Sequence, residues 1–477
     1  MLAGDSTVDV DVLVIGAGPA GYVAAIRAGQ HGLDVTLVEK DAHGGTCLNH
    51  GCIPSKALIT AADVAHEAGH AEEMGIYADP TVAFDELVGW KDDVVDQLTD
   101  GVEQLCKANG VSIREGAAQF VDEHTAEITS SDGGEATETL SFNHAIVATG
   151  SRPTTIPNFD PADAPVLDSR QALSLESIPD SLAIVGAGYI GMELASVFAK
   201  LGSDVTVIEL LDEVLPRYDD DLTQPVRDRA NELGIEFQFG TTASTWHDLE
   251  DGIRVETEPA DAAPSDGTTV DVENVLVAVG REPVTDTLAL ENAGIEPDDG
   301  GFIATDDRAR SSVDHIFAVG DVAGEPLLAH AGTAEGQVAA DVIAGEPAAL
   351  DHRAMPSAVF TDPEIATVGM SDADAREAGF DPLVGRFPFA ASGRALTAGS
   401  ADGFVRIVAD EDSALVLGGQ AVGPEASELI AEIGLAIEMG ASLEDVAQTI
   451  HAHPTLSEAS MEAAEHALGR AIHTTNR

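Results

Sequence analysis

The chain has 477 residues, 44% of them hydrophobic, which is enough apolar material for roughly two to four folded domains and argues against a disordered composition. Its 84 acidic residues against 23 basic ones give a net charge of −61, which argues against nucleic acids and anionic membrane surfaces as partners. The acidic residues are spread along the whole sequence, and salt near ~1 M would screen their repulsion, so we expect a protein of an extreme halophile rather than an ordinary acidic mesophilic one.

The N-terminal segment MLAGDSTVDVDV has neither the basic nor the apolar region of a secretory signal. No apolar run reaches the length of a membrane span, and three cysteines are too few for a disulfide framework. We therefore expect a cytoplasmic protein.

A βαβ unit is predicted over residues 8–40, where a β-branched run, GxGxxG, an apolar helix and a second strand follow one another. Gly16 permits the tight turn, and Gly18 lets a pyrophosphate approach the amides of the helix N-terminus. Gly21 permits close packing of helix against strand, and Glu39 is placed to accept hydrogen bonds from ribose hydroxyls. These features predict a first dinucleotide site.

The same pattern recurs over residues 181–210, with Gly186, Gly188 and Gly191 in the glycine positions and Glu209 at the end of the second strand. One GxGxxG is weak evidence, but two copies in full strand–turn–helix–strand context are strong, against the alternative of two glycine-rich turns without ligands. Two such sites favour electron transfer between a flavin and a nicotinamide. Glu209 would repel a 2′-phosphate, so we expect NAD at the second site and the flavin at the first.

Three further strands end in related sequences, HAIVATGSRP, NVLVAVGREP and HIFAVGDVA. We interpret the first two as the points where the chain passes from one nucleotide fold to the other. Residues 241–272, rich in Asp, Thr and Pro, are expected to contain surface loops. From about Met355 onward, strand-like stretches precede helix-like ones, which predicts an α+β layer without a nucleotide motif.

Two cysteines lie five positions apart in CLNHGCIPSK, at Cys47 and Cys52. A regular helix would separate them by about 7.5 Å of rise, more than the about 4.4–6.8 Å that a disulfide spans. Gly51 and Pro54 make the necessary distortion plausible, and a helix N-terminus lowers the pKa of a thiol. The segment predicts a reversible redox disulfide. Two buried free cysteines and, less favoured, a metal site remain alternatives, and Cys106 is expected in the core.

A second candidate site is HAHPTLSE, residues 451–458. His453 precedes a proline, which favours an extended backbone. Glu458 could accept a hydrogen bond from one ring nitrogen and leave the other free as a general base. The alternative is a purely structural histidine–glutamate pair.

Taken together, GGTCLNHGCIPSK, both GxGxxG units, ATGSRP, VGREP, AVGDV and HAHPTLSE resemble the pyridine nucleotide–disulfide oxidoreductases, and among them most of all the dihydrolipoamide dehydrogenases. The resemblance covers essentially the whole chain. It implies an α/β fold with two Rossmann-like dinucleotide-binding domains and a C-terminal α+β dimerisation domain, in a homodimer. It also implies one tightly bound FAD per subunit, NAD as the second cofactor, and no metal. The implied domains are residues 1–150 (FAD-binding, first part), 151–280 (NAD-binding), 281–350 (FAD-binding and central, second part) and 351–477 (interface).

The resemblance also assigns catalytic roles. It implies that Cys47 exchanges with the lipoyl sulfur and that Cys52 lies against the flavin ring. His453 of the partner subunit would deprotonate the dihydrolipoyl thiol, with Glu458 orienting its ring.

Cofactor contacts follow from the same resemblance. Lys56 would lie near flavin N5 and pair with Glu193. Asp321 would hold the ribityl–phosphate region, and Ala329 the ring edge through its backbone. The other residues implied at the FAD site are Lys40, Gly45, Thr46, Ala118, Thr149 and Gly150, and those implied at the NAD site are Tyr189, Ile190, Gly280 and Arg281.

Related enzymes differ at identifiable positions. Glutathione-type reductases carry arginines after the second βαβ unit, whereas Glu209 here is followed by Leu210, Leu211 and Asp212. Mercuric reductases have a C-terminal cysteine pair and soluble transhydrogenases lack the redox disulfide; neither matches. The expected reaction is oxidation of free dihydrolipoamide or a lipoyl domain, within a 2-oxoacid dehydrogenase complex if the chain serves one, with reduction of NAD⁺. The alternatives are an NAD-dependent reductase of another small disulfide and a non-catalytic scaffold subunit of such a complex.

Overall fold

The computed structural model describes residues 8–130, 137–163, 165–260 and 267–476. Within these ranges, no helix combines the length and the apolar character needed to cross a bilayer.

The strands, in chain order, are β1 (Val8–Ile15), β2 (Val35–Glu39), β3 (Ser112–Glu115), β4 (Ala117–Asp122), β5 (Thr125–Thr129), β6 (Thr137–Val147), β7 (Ser151–Pro153), β8 (Val166–Leu167), β9 (Ser181–Val185), β10 (Asp204–Ile208), β11 (Glu236–Gln238), β12 (Thr241–Asp248), β13 (Ile253–Pro259), β14 (Thr268–Val272), β15 (Asn274–Val277), β16 (Arg281–Pro283), β17 (Ile316–Ala318), β18 (Ser357–Val359), β19 (Glu364–Gly369), β20 (Pro382–Pro388), β21 (Phe404–Asp410) and β22 (Val416–Gly423). The α-helices are α1 (Pro19–Gln30), α2 (Gly45–His50), α3 (Cys52–Gly69), α4 (Phe84–Ala108), α5 (Ser169–Ala172), α6 (Tyr189–Lys200), α7 (Asp220–Glu232), α8 (Ala329–Ile343), α9 (Asp372–Glu377), α10 (Gly393–Ala398), α11 (Ala426–Met439), α12 (Leu443–Gln448) and α13 (Glu458–Ala467).

The first sheet has a parallel part, in the order β3-β2-β1-β6-β17, and an antiparallel extension, β6-β5-β4. Strand β1 is buried on both of its faces. Val12 and Val14 pack with apolar residues of α1 and α8, while Leu13 and Ile15 pack toward β4 and β5. Parallel strands that are covered on both faces have nearly continuous apolar sequences. For this reason β1 could be predicted from the sequence.

The second sheet is also parallel, in the order β11-β10-β9-β15-β8. Strands β7 and β16, which follow β6 and β15 in the chain, pair antiparallel, with Ser151 opposite Pro283. The two passages between the nucleotide folds therefore lie side by side.

Residues 241–272 were expected to contain surface loops, and the exposed connection 249–252 is one, but most of the stretch is strand. Strands β12, β13 and β14 form a three-stranded antiparallel sheet. Ile253, Val255 and Thr257 are buried and alternate with more exposed residues, which is the pattern of a half-buried strand. Residues 261–266 lie outside the described part of the chain.

A further five-stranded sheet, called the third sheet below, is antiparallel and has the order β18-β19-β22-β21-β20. Helices α11, α12 and α13 share an apolar core with it. The predicted fold class, two nucleotide-binding α/β folds followed by an α+β layer, is confirmed. The residue boundaries of the domains stay a prediction.

Candidate active site

The two cysteines stand on either side of a break between helices. Cys47 lies in α2 and Cys52 is the first residue of α3. Gly51 between them has φ −145° and ψ −109°, so no regular helix joins the two. This is the distortion that the spacing required. Both cysteines are thiols in the structure, so the reversible disulfide stays a prediction.

The sulfurs are close enough to share a hydrogen bond, and this separates their acidities. The hydrogen bond with Cys52 and burial raise the pKa of Cys47. For Cys52, the hydrogen bond from Cys47 and the charge of Lys56 outweigh burial and lower the pKa to about 7. Near neutral pH, Cys52 therefore carries the thiolate of the pair.

Lys56, one helical turn after Cys52, is fixed by an acid from the second nucleotide fold. Its Nζ lies 2.8 Å from Oε2 and 3.0 Å from Oε1 of Glu193, which is buried on α6. The backbone amide of Phe360, from the third sheet region, donates to the same Glu193 Oε1 at 2.9 Å. Lys56 Nζ also lies 4.4 Å from the centre of the Phe360 ring. Three parts of the chain thus meet at this ion pair.

The histidine–glutamate pair lies near the C-terminus. His453 Nδ1 is 2.9 Å from Glu458 Oε1, and Glu458 Oε2 accepts from the Thr455 amide at 2.9 Å. Burial opposes ionisation of Glu458, but these two hydrogen bonds hold the pKa of its carboxyl below the usual value. The His453 side chain is 78% exposed, and within the described residues it hydrogen-bonds to neither cysteine. The hydrogen bond to Glu458 therefore fixes the orientation of the His453 ring, and the second ring nitrogen, Nε2, is directed away from Glu458.

The first glycine loop leaves room for a phosphate. Gly16 has φ +102°, and a Cβ there would come 2.3 Å from Ala148 O, whereas a Cβ on Gly18 would meet nothing within 4 Å. Gly18 begins α1 without a side-chain cap, so its first amides are available to an anion. Gly45 packs onto this loop, because a Cβ on Gly45 would lie 2.6 Å from Gly18 Cα. The cysteine segment is therefore held directly against the loop.

The second loop repeats this construction. Gly186 has φ +106° and would meet Ala278 O at 2.5 Å, while Gly188 again opens to free space at the uncapped start of α6. Gly191 allows the close approach that was expected, since a Cβ there would lie 2.0 Å from Gly186 O. A Cβ on Gly21 would lie 1.9 Å from Gly16 O in the first loop. Both loops have the shape that a dinucleotide pyrophosphate requires.

Arg281 was predicted at the NAD site, and its side chain turns toward Asp321. Its Nη2 and Nε donate to Ser151 O and Oγ at 2.7 Å each, and Ser151 Oγ donates to Asp321 Oδ2 at 2.5 Å. Tyr189 lies close enough for the charges of Arg281 and Asp321 to act on its hydroxyl, while burial raises the pKa of Tyr189 to about 12. Ser151 was missed by the sequence analysis, although it is the serine of the ATGSRP motif.

The other predicted cofactor residues sit at the ends of elements near these loops. They are Lys40 after β2, Thr46 in α2, Ala118 in β4, Thr149 and Gly150 between β6 and β7, Ile190 in α6, Gly280 before β16, Asp321 in the short 3-10 helix Gly320–Val322, and Ala329 at the start of α8. Thr149 Oγ1 donates to Val284 O at 2.6 Å, so this side chain is already engaged. The contacts of all of them with cofactors stay predictions.

Comparison with known proteins gives full-length matches. The chain is 64% identical to dihydrolipoyl dehydrogenase of Halobacterium salinarum and 62% identical to that of Haloferax volcanii, with 100% of both chains covered in each case. It is 47% identical to dihydrolipoyl dehydrogenase of Geobacillus stearothermophilus, over 99% of both chains. Among solved structures, LpdA of Mycobacterium tuberculosis superposes with a TM-score of 0.89 at 29% identity, covering 96% of this chain and 99% of that one.

Two family sequence models match two successive parts of the chain. The model described as pyridine nucleotide-disulphide oxidoreductase matches residues 10–336. The model of the dimerisation domain of the same family matches residues 355–464. The first alone spans more than half of the chain, and together the two models cover strands of all five sheets. The chain belongs to the pyridine nucleotide-disulphide oxidoreductase family.

Proposed function

We propose that the chain is an NAD-dependent dihydrolipoamide dehydrogenase that works as a homodimer in the cytoplasm of a halophile. The observation that carries the proposal is the cysteine pair, with Cys52 acidified beside the Lys56–Glu193 pair and Cys47 held next to it. The names of the full-length relatives support the substrate class. A lipoyl domain of a 2-oxoacid dehydrogenase complex is the carrier we propose.

The residues present fit both cofactors. The first glycine loop, Glu39 and Asp321 would hold FAD, and the second loop with Glu209 would hold NAD. When bound, the flavin would supply two-electron chemistry between the dithiol and the nicotinamide. Glu209 is buried directly after β10, and an acidic residue at this position of a βαβ unit disfavours the 2′-phosphate of NADP. Arg227, which follows in α7, is already 2.8 Å from Glu213 Oε2, so this cation is paired and we propose NAD as the cofactor.

The proposed reaction between the dihydrolipoyl group and the cysteine pair is a thiol–disulfide exchange. His453 of the partner subunit would take a proton from one dihydrolipoyl thiol, and the resulting thiolate would attack Cys47 in the Cys47–Cys52 disulfide. A mixed disulfide forms and Cys52 leaves as a thiolate, stabilised by the positive charge of Lys56. The second dihydrolipoyl thiol then closes the lipoyl disulfide and releases Cys47 as a thiol. The substrate has lost two electrons, and the cysteines have gained them.

The dimer in this proposal rests on the matched dimerisation domain and on exposed apolar side chains there. Leu435, Met439 and Ile450 are 64%, 74% and 94% exposed in the single chain. Ile450 is three residues from His453, so covering this surface with a second copy would bring the base to an interface. Since His453 does not reach the cysteines of its own chain, the site is complete only in the dimer.

Substrate oxidation by purified protein in molar salt tests the proposal. Dihydrolipoamide should reduce NAD⁺, and Cys47→Ser and Cys52→Ser should each abolish this activity while bound flavin remains. A matched Cys106→Ser variant should stay active, because Cys106 is buried in the core. Full activity in either active-site variant would overturn the mechanism. A colourless protein that cannot be reconstituted with FAD would favour the scaffold alternative, and turnover of another small disulfide in preference to lipoamide would favour the other reductase.

A further inference from the structure

Two ion pairs of opposite polarity join α3 to α6. Lys56 on α3 pairs with Glu193 on α6, and seven residues later on both helices Asp63 pairs with Lys200, Nζ to Oδ1 at 2.6 Å. Seven residues are two helical turns, so both pairs fall on the same face of each helix, about 10.5 Å apart along the axis. The helices therefore run in the same direction and are fixed to each other at two points.

One loop from the third sheet region touches both pairs. This loop, residues 360–362, is part of the connection between β18 and β19. The Phe360 amide donates to Glu193 at 2.9 Å, and Asp362 Oδ2 lies 2.8 Å from Lys200 Nζ. The Lys200 side chain is only 5% exposed and lies within ion-pair distance of two carboxylates, Asp63 and Asp362. Arg229 on α7 also donates to Asp362, at 2.9 Å.

The second pair lies about 10.5 Å from the first along both helices, so we infer that it acts on the cysteines through structure rather than through its own charge. The charges that shift the pKa of Cys52 include those of Lys56 and Glu193, and Lys200 lies two helical turns beyond Glu193 on α6. Lys200 can reach the thiol only by holding α6 and loop 360–362 in place. These two elements carry Glu193 and the Phe360 ring, and both of them fix the ammonium of Lys56.

We propose that Lys200, with Asp63 and Asp362, is a positioning network that holds the Lys56–Glu193 pair against Cys52 and so makes the acidity of that thiol depend on the docking of the dimerisation domain. The inference rests on the proposed redox role of the cysteines. None of the three residues touches substrate or the reacting sulfurs. They act through Lys56.

The test is a thiol titration in the flavin-bound Cys47→Ser protein. A thiolate beside a flavin adds long-wavelength absorbance, so its pH midpoint reports the pKa of Cys52 without any substrate. Lys200→Met and Asp362→Asn remove charges of opposite sign. If the network positions Lys56, both should move the midpoint upward, by about one pH unit. Lys200→Arg should restore the midpoint of the parent protein.

Arg406→Met is the matched control. Arg406 is another cation with a largely buried side chain held by two carboxylates, Asp219 and Asp221, and it joins α7 to the third sheet away from the cysteines. This control should lower thermal stability and leave the midpoint unchanged. Shifts of opposite sign for Lys200→Met and Asp362→Asn, or no shift in either, would overturn the inference.

Asp362→Asn preserves side-chain volume and can decide the question by itself if Lys200→Met does not fold. The direct effect of removing one negative charge would lower the midpoint, whereas loss of positioning would raise it. The titration needs no turnover. A failed lipoamide assay would therefore contradict the proposed function, whereas an unmoved midpoint would contradict the positioning network.

Discussion

Glu39 and Glu209 make the same two hydrogen bonds in two different sheets. Glu39 Oε2 accepts from the Ala17 amide at 2.7 Å and Oε1 from the Asp41 amide at 2.8 Å. Glu209 accepts from the amides of Ala187 at 2.6 Å and Leu211 at 2.8 Å. Each acid therefore holds the middle of its own glycine loop, in addition to the ribose contact that we predict for it. A carboxylate offers about four acceptor sites, so both tasks are compatible.

Replacing each of these acids should weaken the binding of one cofactor and leave the other cofactor bound. Glu209→Ala leaves the Ala187 amide without its partner, which costs about 1–3 kcal/mol where the group is buried. We expect the KM for NAD⁺ to rise about tenfold or more, with flavin content unchanged. Glu39→Ala is the matched variant and should lose flavin while the second loop stays intact. Flavin absorbance and NAD⁺ titration check both, and loss of flavin in Glu209→Ala would contradict the assignment of the two sites.

The pattern of these two loops was readable in the sequence because each βαβ unit is local, with strand, turn, helix and acid inside about thirty residues. The amide contacts of Glu39 and Glu209 were not predicted, although the recurrent spacing is their signal. Strands β12 to β14 were missed because acidic and turn-forming residues obscured the alternation visible at Ile253 and Val255.

Contacts between distant segments left no signal in the sequence. The Lys56–Glu193 pair, 137 residues apart, was expected only through the family resemblance. Nothing in the sequence indicated Lys200, Asp362 or the Phe360 amide, since their meeting depends on how three sheets dock. The same holds for Arg281, whose guanidinium is directed by Ser151 rather than by its own turn.

His453→Gln should lower the rate of dihydrolipoamide oxidation by roughly 10²–10⁴-fold, the usual contribution of a general base. Glu458→Gln should cause a smaller loss, because the ring keeps its position but lacks the charged acceptor. His473 supplies a matched control: its Nδ1 lies 2.6 Å from Glu462 Oε1 and its side chain is 66% exposed. His473→Gln should leave the rate unchanged. Steady-state assays of the three variants decide this, and a loss below tenfold in His453→Gln would remove it as the base.

His66 should make stability fall in acid. Burial, the neighbouring His70 and the charges of Arg229 and Lys200 lower the pKa of His66 to about 4, and its Nε2 lies 3.1 Å from Arg229 Nη2, which can donate to it only when it is unprotonated. The unfolded chain takes up this proton near pH 6.5 and the folded chain does not. The stabilising contribution is therefore complete above about pH 6.5 and is lost as the pH falls toward 4.

His66→Gln removes this titration and keeps a side-chain acceptor for Arg229. We expect its melting temperature to fall less than that of the parent protein between pH 7 and pH 4.5, measured in molar salt. His247→Gln is a suitable control, because His247 is exposed and its ring pairs with Glu256 on the neighbouring strand. Parallel curves for the parent and His66→Gln would show that His66 does not contribute.

Low salt should destabilise the protein through the repulsion of its acidic surface. From about 1 M to about 0.1 M salt, the Debye length grows from about 3 Å to about 10 Å, so carboxylates on neighbouring elements begin to repel one another. With a net charge of −61, we expect the melting temperature to drop steeply and the dimer to dissociate over this range. Replacing the exposed Asp248, at the end of β12, and Glu250 and Asp251, between β12 and β13, by lysine should shift the midpoint of the transition to lower salt. The triple asparagine and glutamine variant should shift it about half as far, because it changes the charge by half as much. Thermal scans and light scattering across a potassium chloride series measure both effects, and a melting temperature independent of salt would refute the screening argument.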